Sequence, residues 1–381
     1  MILKGIDRVK EYDHCFRNKR LGLITSISGV DNRLISTIEI LNQEYELKAL
    51  FSPEHGVRGD MGAGQLVDTY VDDMTGVTVY SLYRKDSKRL TEEMFAEVDV
   101  VVYDIQDIGV RYYTFISTLI YAIEDCAKYG KEMIVLDRPN PLGGMKIEGN
   151  VLDMTYGSFV GAYPIATRYG LTVGELATMV KEEKNIPCDL KIIPCKGWKR
   201  EMLFNEMNQV WIMPSLGIPR FDTSLLYVGA CLFEGTNVSE GRGTSCLFEI
   251  LGAPFIEAEK LVKHLREKEL LGVGFTPTYF TPSSSKYKGV FCKGVHLHIT
   301  DYKRFDSYKT ALVVLESIRN MYPKDFLILP PPKHNNKPFI SLLSGNGMFE
   351  NPEWNCNKIL IKNESELLEF QKRKEKYHLY D

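Results

Sequence analysis

The sequence predicts an α/β protein, an open parallel sheet covered by helices and followed by a smaller α+β domain. Three observations predict it. Short β-rich runs alternate with segments of helical period, the apolar runs have strand length, and from about Pro254 the order changes to helix, strand, strand, helix.

The β-rich runs are "RLGLITSI" (20–27), "ELKALF" (46–51), "GVTVYSLY" (76–83), "DVVVYDI" (99–105) and "EMIVLD" (132–137). Helical period fills 33–44, 91–98 and 114–130, the last closed by Gly130 as a C-cap. A further helix over 171–185 opens with Thr172 as N-cap and Glu175 three residues later, a capping box, and precedes the strand "CDLKIIP". Beyond Pro254 come the charged helix "IEAEKLVKHLREKEL", strands "VGFTPTYFTP" and "VFCKGVHLHIT", and the helix "SYKTALVVLESIRNMY". The Pro-rich "LPPPKHNNKP" (329–338) reads as a rigid connection before a C-terminal helix. The expected domains are therefore 1–253 and 254–381.

A chain of 381 residues with 44% apolar content can bury a large core. Lys+Arg 47 against Asp+Glu 50 leaves a formal charge of -3, so no general field favours nucleic acid or an anionic membrane. No apolar stretch approaches the roughly 20 residues of a membrane span, and no signal-peptide core follows Met1. The expectation is a cytoplasmic protein, or an extracytoplasmic one had a leader been removed. Cys15, Cys126, Cys188, Cys195, Cys231, Cys246, Cys292 and Cys356 form no CxxC pair and read as free thiols.

In an open parallel sheet the ligand crevice lies beyond the carboxyl ends of the strands. "SPEHGVRGD", "QDIGVRYYTF" and "RPNPLGG" follow such ends, and they bring Glu54 with Arg58 and Asp60, Asp104 and Asp107 with Arg111, and Asp137 with Arg138. Taken singly, each is as well explained by turn carboxylates and neutralising arginines; converging on one edge, they make a cleft rich in acids and cations. "MPSLGIPR" (213–220) and "FEGTNVSEGRGTSCLFEILGAPF" (233–255) repeat the pattern, with Glu234, Asn237, Glu240 and Arg242 among glycines. "GDMGAG" does not match a dinucleotide fingerprint, and "HLH" (His296, Leu297, His298) lacks a third ligand at metal spacing.

Residue chemistry alone leaves two classes open. One is a hydrolase whose carboxyl groups do acid and base work on a glycosidic bond. The other is a non-catalytic or phosphate-handling α/β protein whose arginines and glycine-rich loops bind an anionic sugar or cell-wall fragment.

"SPEHGVRGD", "VVVYDIQDIGVRYYTF", "VLDRPNPLGG", "PSLGIPR" and "EGTNVSEGRGT", in this order over nearly the whole chain, resemble the DUF1343 family of NamZ-type exo-β-N-acetylmuramidases. The resemblance implies a Rossmann-like first domain, a smaller second domain closing an active-site cleft, and release of terminal N-acetylmuramic acid (MurNAc) from the non-reducing end of peptidoglycan fragments. It implies no cofactor, no metal, and a small carbohydrate as the partner. The family's E-H-G glutamate falls on Glu54, the expected acid, with His55 orienting it or a water. Asp104, Asp107 or Glu240 would be the second carboxylate, or the substrate's acetamido oxygen would attack.

MurNAc carries an ionised lactyl group, so a selective site needs a cation. Arg58, Arg111, Arg138, Arg168, Arg220 and Arg242 are the expected candidates, with Asp60, Tyr112, Asn140 and Asn237 completing the substrate-binding set. Relatives read "LITNPTGVD" where this chain has "LITSISGVD" (23–31), so Ser26, Ile27 and Ser28 depart from the pattern.

Overall fold

The computed structural model describes residues 1–381 except 60, 63, 67 and 333–335. In chain order its elements are β1 (Arg20–Thr25), α1 (Thr37–Glu44), β2 (Glu46–Ser52), β3 (Tyr70–Val71), β4 (Thr78–Ser81), β5 (Val100–Asp104), α2 (Phe115–Lys128) and β6 (Glu132–Leu136). There follow β7 (Glu148–Val151), β8 (Ala166–Arg168), α3 (Val173–Glu183), β9 (Asp189–Ile193), α4 (Phe221–Ala230) and β10 (Ile250–Ala253). The chain ends with α5 (Ala258–Arg266), β11 (Val273–Phe280), β12 (Cys292–Ile299), α6 (Ser307–Met321), α7 (Phe339–Ser344) and α8 (Cys356–Lys374).

Two compact units emerge: Met1–Lys146 with Tyr169–Phe221 and Lys372–Asp381, and Ile147–Arg168 with Asp222–Gln371. Position 253, where composition changes, lies inside the second unit because β10 pairs with β12. Residues 147–168, expected in the first domain, also fold with the second. Their buried acid explains why: Glu148 takes the Arg168 guanidinium at 2.6 Å and the Tyr308 amide of α6 at 3.1 Å.

The first unit holds a sheet of order β3-β4-β2-β1-β5-β6-β9, parallel except for the edge strand β3. Its order runs outward in both directions from β1, so β1 and β5 flank the point where a Rossmann-type sheet opens its crevice. β5 is buried along its whole length, as a central parallel strand must be when helices cover both faces. The expected capping box is present in α3: Thr172 Oγ accepts from Glu175 N–H, and the Glu175 carboxylate accepts from Thr172 N–H. Gly130 closes α2 with φ of +62°. Segment 91–98, expected as a helix, makes only a short 3₁₀ turn at Glu93–Phe95.

The second unit contains the sheet β10-β12-β11, antiparallel throughout, and the two-stranded β7-β8 pair. α5 packs on the larger of these with Leu261, Val262 and Leu265 buried. Among the described residues, no helix is long and apolar enough to cross a membrane.

A 3₁₀ segment, Gly5–Cys15, lies across β6 and β9. A Cβ on Gly5 would stand 2.6 Å from Asp137 N and 2.7 Å from Ile193 O, both rigid backbone atoms. Gly5→Ala should therefore cost about 1–3 kcal/mol of stability by forcing that segment off the sheet. Urea unfolding against the parent protein measures it.

Candidate active site

β2 delivers the chain to Pro53 at the carboxyl edge of the sheet. Gly56 N–H closes a turn on Pro53 C=O at 3.2 Å, and His55 occupies its third position with φ of +76°. Glycine normally fills such a place, since a Cβ there costs roughly 1 kcal/mol or more. The strain sets two adjacent polar side chains in fixed directions. Glu54, 9% exposed, accepts from Gly64 N–H at 2.9 Å on one oxygen and from Thr114 Oγ at 2.7 Å on the other. His55 Nδ1 lies 3.3 Å from Met61 C=O, which as an acceptor calls for the proton on Nδ1 and leaves Nε2 the basic nitrogen of the neutral ring. Phe115 meets the imidazole edge-on, with ring centres 6.2 Å apart.

The sequence reading missed three neighbours of Glu54. The Tyr83 hydroxyl donates to its carboxylate, and burial together with the Glu54 charge pushes that phenol up to about 12. Lys88 Nζ stands 3.5 Å over the Tyr83 ring and donates to Arg84 C=O at 2.6 Å. Tyr113, wholly buried, is hydrogen-bonded to Ser215; its hydroxyl is pushed far up, first by burial and then by the charges of Asp107 and Glu54. Tyr83 follows the carboxyl end of β4, so the edge rule that found Glu54 would have found it too.

At the end of β5, Asp104 is fully buried, and its oxygens take Arg138 Nε at 2.5 Å, Arg138 Nη2 at 2.8 Å and the Thr37 hydroxyl. Arg138 also donates to Val30 C=O at 3.1 Å. This pair is a structural clamp, with both Asp104 oxygens and the Nε and Nη2 of Arg138 engaged. Asp107 differs. One carboxyl oxygen accepts from Gly109 N–H at 2.6 Å and from the Tyr169 hydroxyl, while Oδ1 has no hydrogen-bond partner among the described residues. Burial raises Asp107 to about 7, against the weaker downward pull of those donors. A cavity of about 10 Å³, the space of one water, lies among Gln106, Asp107, Arg138, Asn140 and Tyr169.

Asn140 is spent on backbone, donating to Leu171 C=O at 2.8 Å and accepting from Leu142 N–H at 2.9 Å. Asp137 caps α3 through Gly174 N–H at 2.8 Å and Thr172 Oγ at 2.7 Å. Arg58 grips Asp72 through Nε at 3.1 Å and Nη2 at 2.9 Å. Burial opposes ionisation of Asp72, yet Thr75 and Arg58 outweigh it and hold the carboxyl below the usual range. Arg111 and Tyr112 are buried in the first unit, and Arg220 is exposed there. Ser26 and Ser28, the departure from the family pattern, share a 2.7 Å hydrogen bond, and Ser28 Oγ accepts from Gln106 N–H at 3.1 Å, tying the loops after β1 and β5 together.

The remaining expected residues belong to the second unit. Arg168 is buried on Glu148. Arg242 reaches Glu234 at 2.9 Å and Glu240 at 3.3 Å, and Lys286 meets Glu240 at 2.9 Å, so Glu240 is doubly paired. Asn237 pins its loop to Asp325 C=O and Leu327 N–H. Asp60 lies outside the described residues.

Acids with unequal environments at the carboxyl edge of an open parallel sheet define an α/β protein with a small-molecule site of the acid–base kind. The chain belongs to the NamZ exo-β-N-acetylmuramidase family: the model of its N-terminal part matches residues 21–222 and that of its C-terminal part matches 225–380. It is 43% identical over 99% of its length to the peptidoglycan β-N-acetylmuramidase NamZ of Bacillus subtilis, covering 91% of that protein. Two crystal structures of DUF1343 family proteins from Bacteroides fragilis share the fold. One has a TM-score of 0.92 and 39% identity and the other 0.78 and 28%, each match covering 100% of this chain and 99% of the other.

Two consequences can be measured. Removing one half of the buried pair, as in Asp104→Ala, should destabilise by about 3–5 kcal/mol, because Arg138 is left buried and uncompensated. Asp107 has a folded pKa of about 7 against an ordinary value of 3.8, so the stability it contributes is present below pH ~4 and lost as pH rises through ~7. Denaturant melts at pH 4.5 and 7.5 should show the parent protein losing ground to Asp107→Asn on going to the higher pH.

Proposed function

We propose that this protein is an exo-β-N-acetylmuramidase that releases terminal MurNAc from the non-reducing end of peptidoglycan fragments, with Glu54 as general acid. The observation that carries the assignment is the placement of the Glu54 carboxyl. It stands on a strained turn at the carboxyl edge of the sheet, 9% exposed, held by Thr114, Gly64 N–H and Tyr83. A proton delivered from there to the glycosidic oxygen lets the aglycone leave as an alcohol while the sugar takes on oxocarbenium character. His55, with Nε2 as its basic nitrogen, orients the acid or a water.

Asp107 is the second carboxyl in this reading. Asp104 is committed to Arg138 and Glu240 to Arg242 and Lys286, whereas Asp107 keeps an oxygen without a partner. For the lactyl carboxylate we assign Lys88, an ammonium one aromatic ring removed from Glu54. Arg58 and Arg138, which the sequence suggested for that task, are engaged by Asp72 and Asp104.

Glu54→Gln should lower kcat on a chromogenic MurNAc glycoside by about 10²–10⁴-fold with the fold intact; near-parental turnover would remove Glu54 from the mechanism. Tight binding of a MurNAc disaccharide with no sugar released by the parent protein would favour a binding protein instead. Lys88→Met should cost roughly tenfold or more in kcat/KM on MurNAc glycosides while sparing the N-acetylglucosamine analogue. Equal losses on both would deny Lys88 the lactyl group.

A further inference from the structure

The "HLH" pair found in the sequence lacks a third ligand there, and the fold of the second unit supplies two. His296 and His298 project from the same face of β12, with ring centres 4.2 Å apart. Across from them the turn Cys246–Glu249, closed by Glu249 N–H on Cys246 C=O at 3.0 Å, brings a thiol and a carboxyl to one side. A donor atom from each of Cys246, Glu249 and His296 lies within 4.8 Å of the other two. We propose that Cys246, Glu249 and His296 form a binding site for a thiophilic divalent cation of the Zn²⁺ class, with a water as fourth ligand; the neighbouring His298 engages Thr276 Oγ through Nε2 at 2.7 Å.

The donor set is chemically selective. Thiolate, imidazole and carboxylate together suit Zn²⁺, whereas Mg²⁺ and Ca²⁺ prefer oxygen ligands alone. Zinc bonds of about 2.0–2.3 Å put tetrahedral donors roughly 3.3–3.8 Å apart, so Glu249 and His296 at 3.9 Å are nearly in place and no pair need draw in by more than about 1.5 Å. Cys246 can do so, being half-buried at a turn, whereas the other free cysteines are buried.

Two features fix the set. Phe248, buried and aromatic, holds φ of +63°, a conformation that turns Glu249 back towards Cys246. Thr223 Oγ donates to Glu249 Oε1 at 2.6 Å, while Glu249 Oε2 lies 3.9 Å from His296 Nε2; the carboxylate is thus oriented from behind, as outer-shell hydrogen bonds orient metal ligands. Leu297 N–H donates to Glu249 C=O at 2.9 Å, locking the turn to β12. A bound ion would join the glycine-rich 234–249 loop to the sheet independently of Glu54 chemistry.

Titrating tag-free, EDTA-stripped protein with Co²⁺ tests this without an activity assay. The expected result is one equivalent giving a near-ultraviolet thiolate-to-cobalt band and visible bands of tetrahedral strength, bleached by Zn²⁺. Cys246→Ser should abolish the near-ultraviolet band, His296→Ala should weaken binding by more than tenfold, and Thr223→Val should weaken it by about 10–100-fold. Absence of the band in the parent protein, or its survival in Cys246→Ser, overturns the proposal. Equal melting of parent and variants in EDTA shows that the variants fold.

Discussion

The buried pair of Asp104 and Arg138 is the contact on which the carboxyl edge of the sheet depends. It joins the end of β5 to the residue two past the end of β6, takes the Thr37 hydroxyl from the start of α1, and reaches Val30 C=O in the loop after β1. Two opposite charges at this depth are tolerated because they face each other directly and because Thr37 and Val30 add hydrogen bonds to them; removing either charge would cost several kcal/mol. Four segments are thereby fixed relative to one another before any ligand arrives. The pair also engages a carboxylate and part of a guanidinium at this edge, where Glu54 and Asp107 have quite different surroundings.

Those two acids are held by opposite means. Glu54 sits among donors, from Thr114, Gly64 and Tyr83, near the Lys88 ammonium. Asp107 is buried with fewer donors than its oxygens can accept, so desolvation dominates and raises it to about 7. Tyr113 lies under the charge of both.

Strands β1, β2, β4, β5, β6, β9, β11 and β12, the α3 capping box and the carboxyl edge at which the first three polar loops emerge were legible in the sequence, because each depends on local periodicity or on a rule of sheet topology, whereas the short β3, β7, β8 and β10 were not. The partners of the arginines were not. Arg58 and Arg138 stand beside acids in sequence, yet Arg58 pairs with Asp72 and Arg138 reaches Asp104 across a strand. A guanidinium at the end of a long side chain selects its partner in three dimensions. Residues 147–168 were misplaced for a similar reason, since Glu148 and Arg168 pair across β7 and β8 and are capped from α6. The Cys246–His296 juxtaposition joins positions brought together only by the β10-β12 pairing, which composition does not announce.

The first unit is built from three separated stretches of chain, and its last one does specific work. Tyr380 donates to Asp137, the carboxyl that also receives Thr172 and Gly174 at the start of α3. Leu379 N–H reaches Glu175, which in turn holds Arg200 at 2.6 Å. Lys374 donates to Gly144 and Gly170 carbonyls, and burial followed by the Arg200 charge lowers its ammonium to about 8. The final residues thus add further donors to the Asp137 and Glu175 carboxyls and to the Gly144 and Gly170 carbonyls, groups that Thr172, Gly174 and Arg200 also reach. These last ten residues follow residues 222–371 in the chain, so the first unit gains its final contacts only after the second has been made. The acid that receives Tyr380, Asp137, directly precedes the arginine that clamps the carboxyl edge, so the last residues of the chain and the Asp104 pair meet at the same turn after β6.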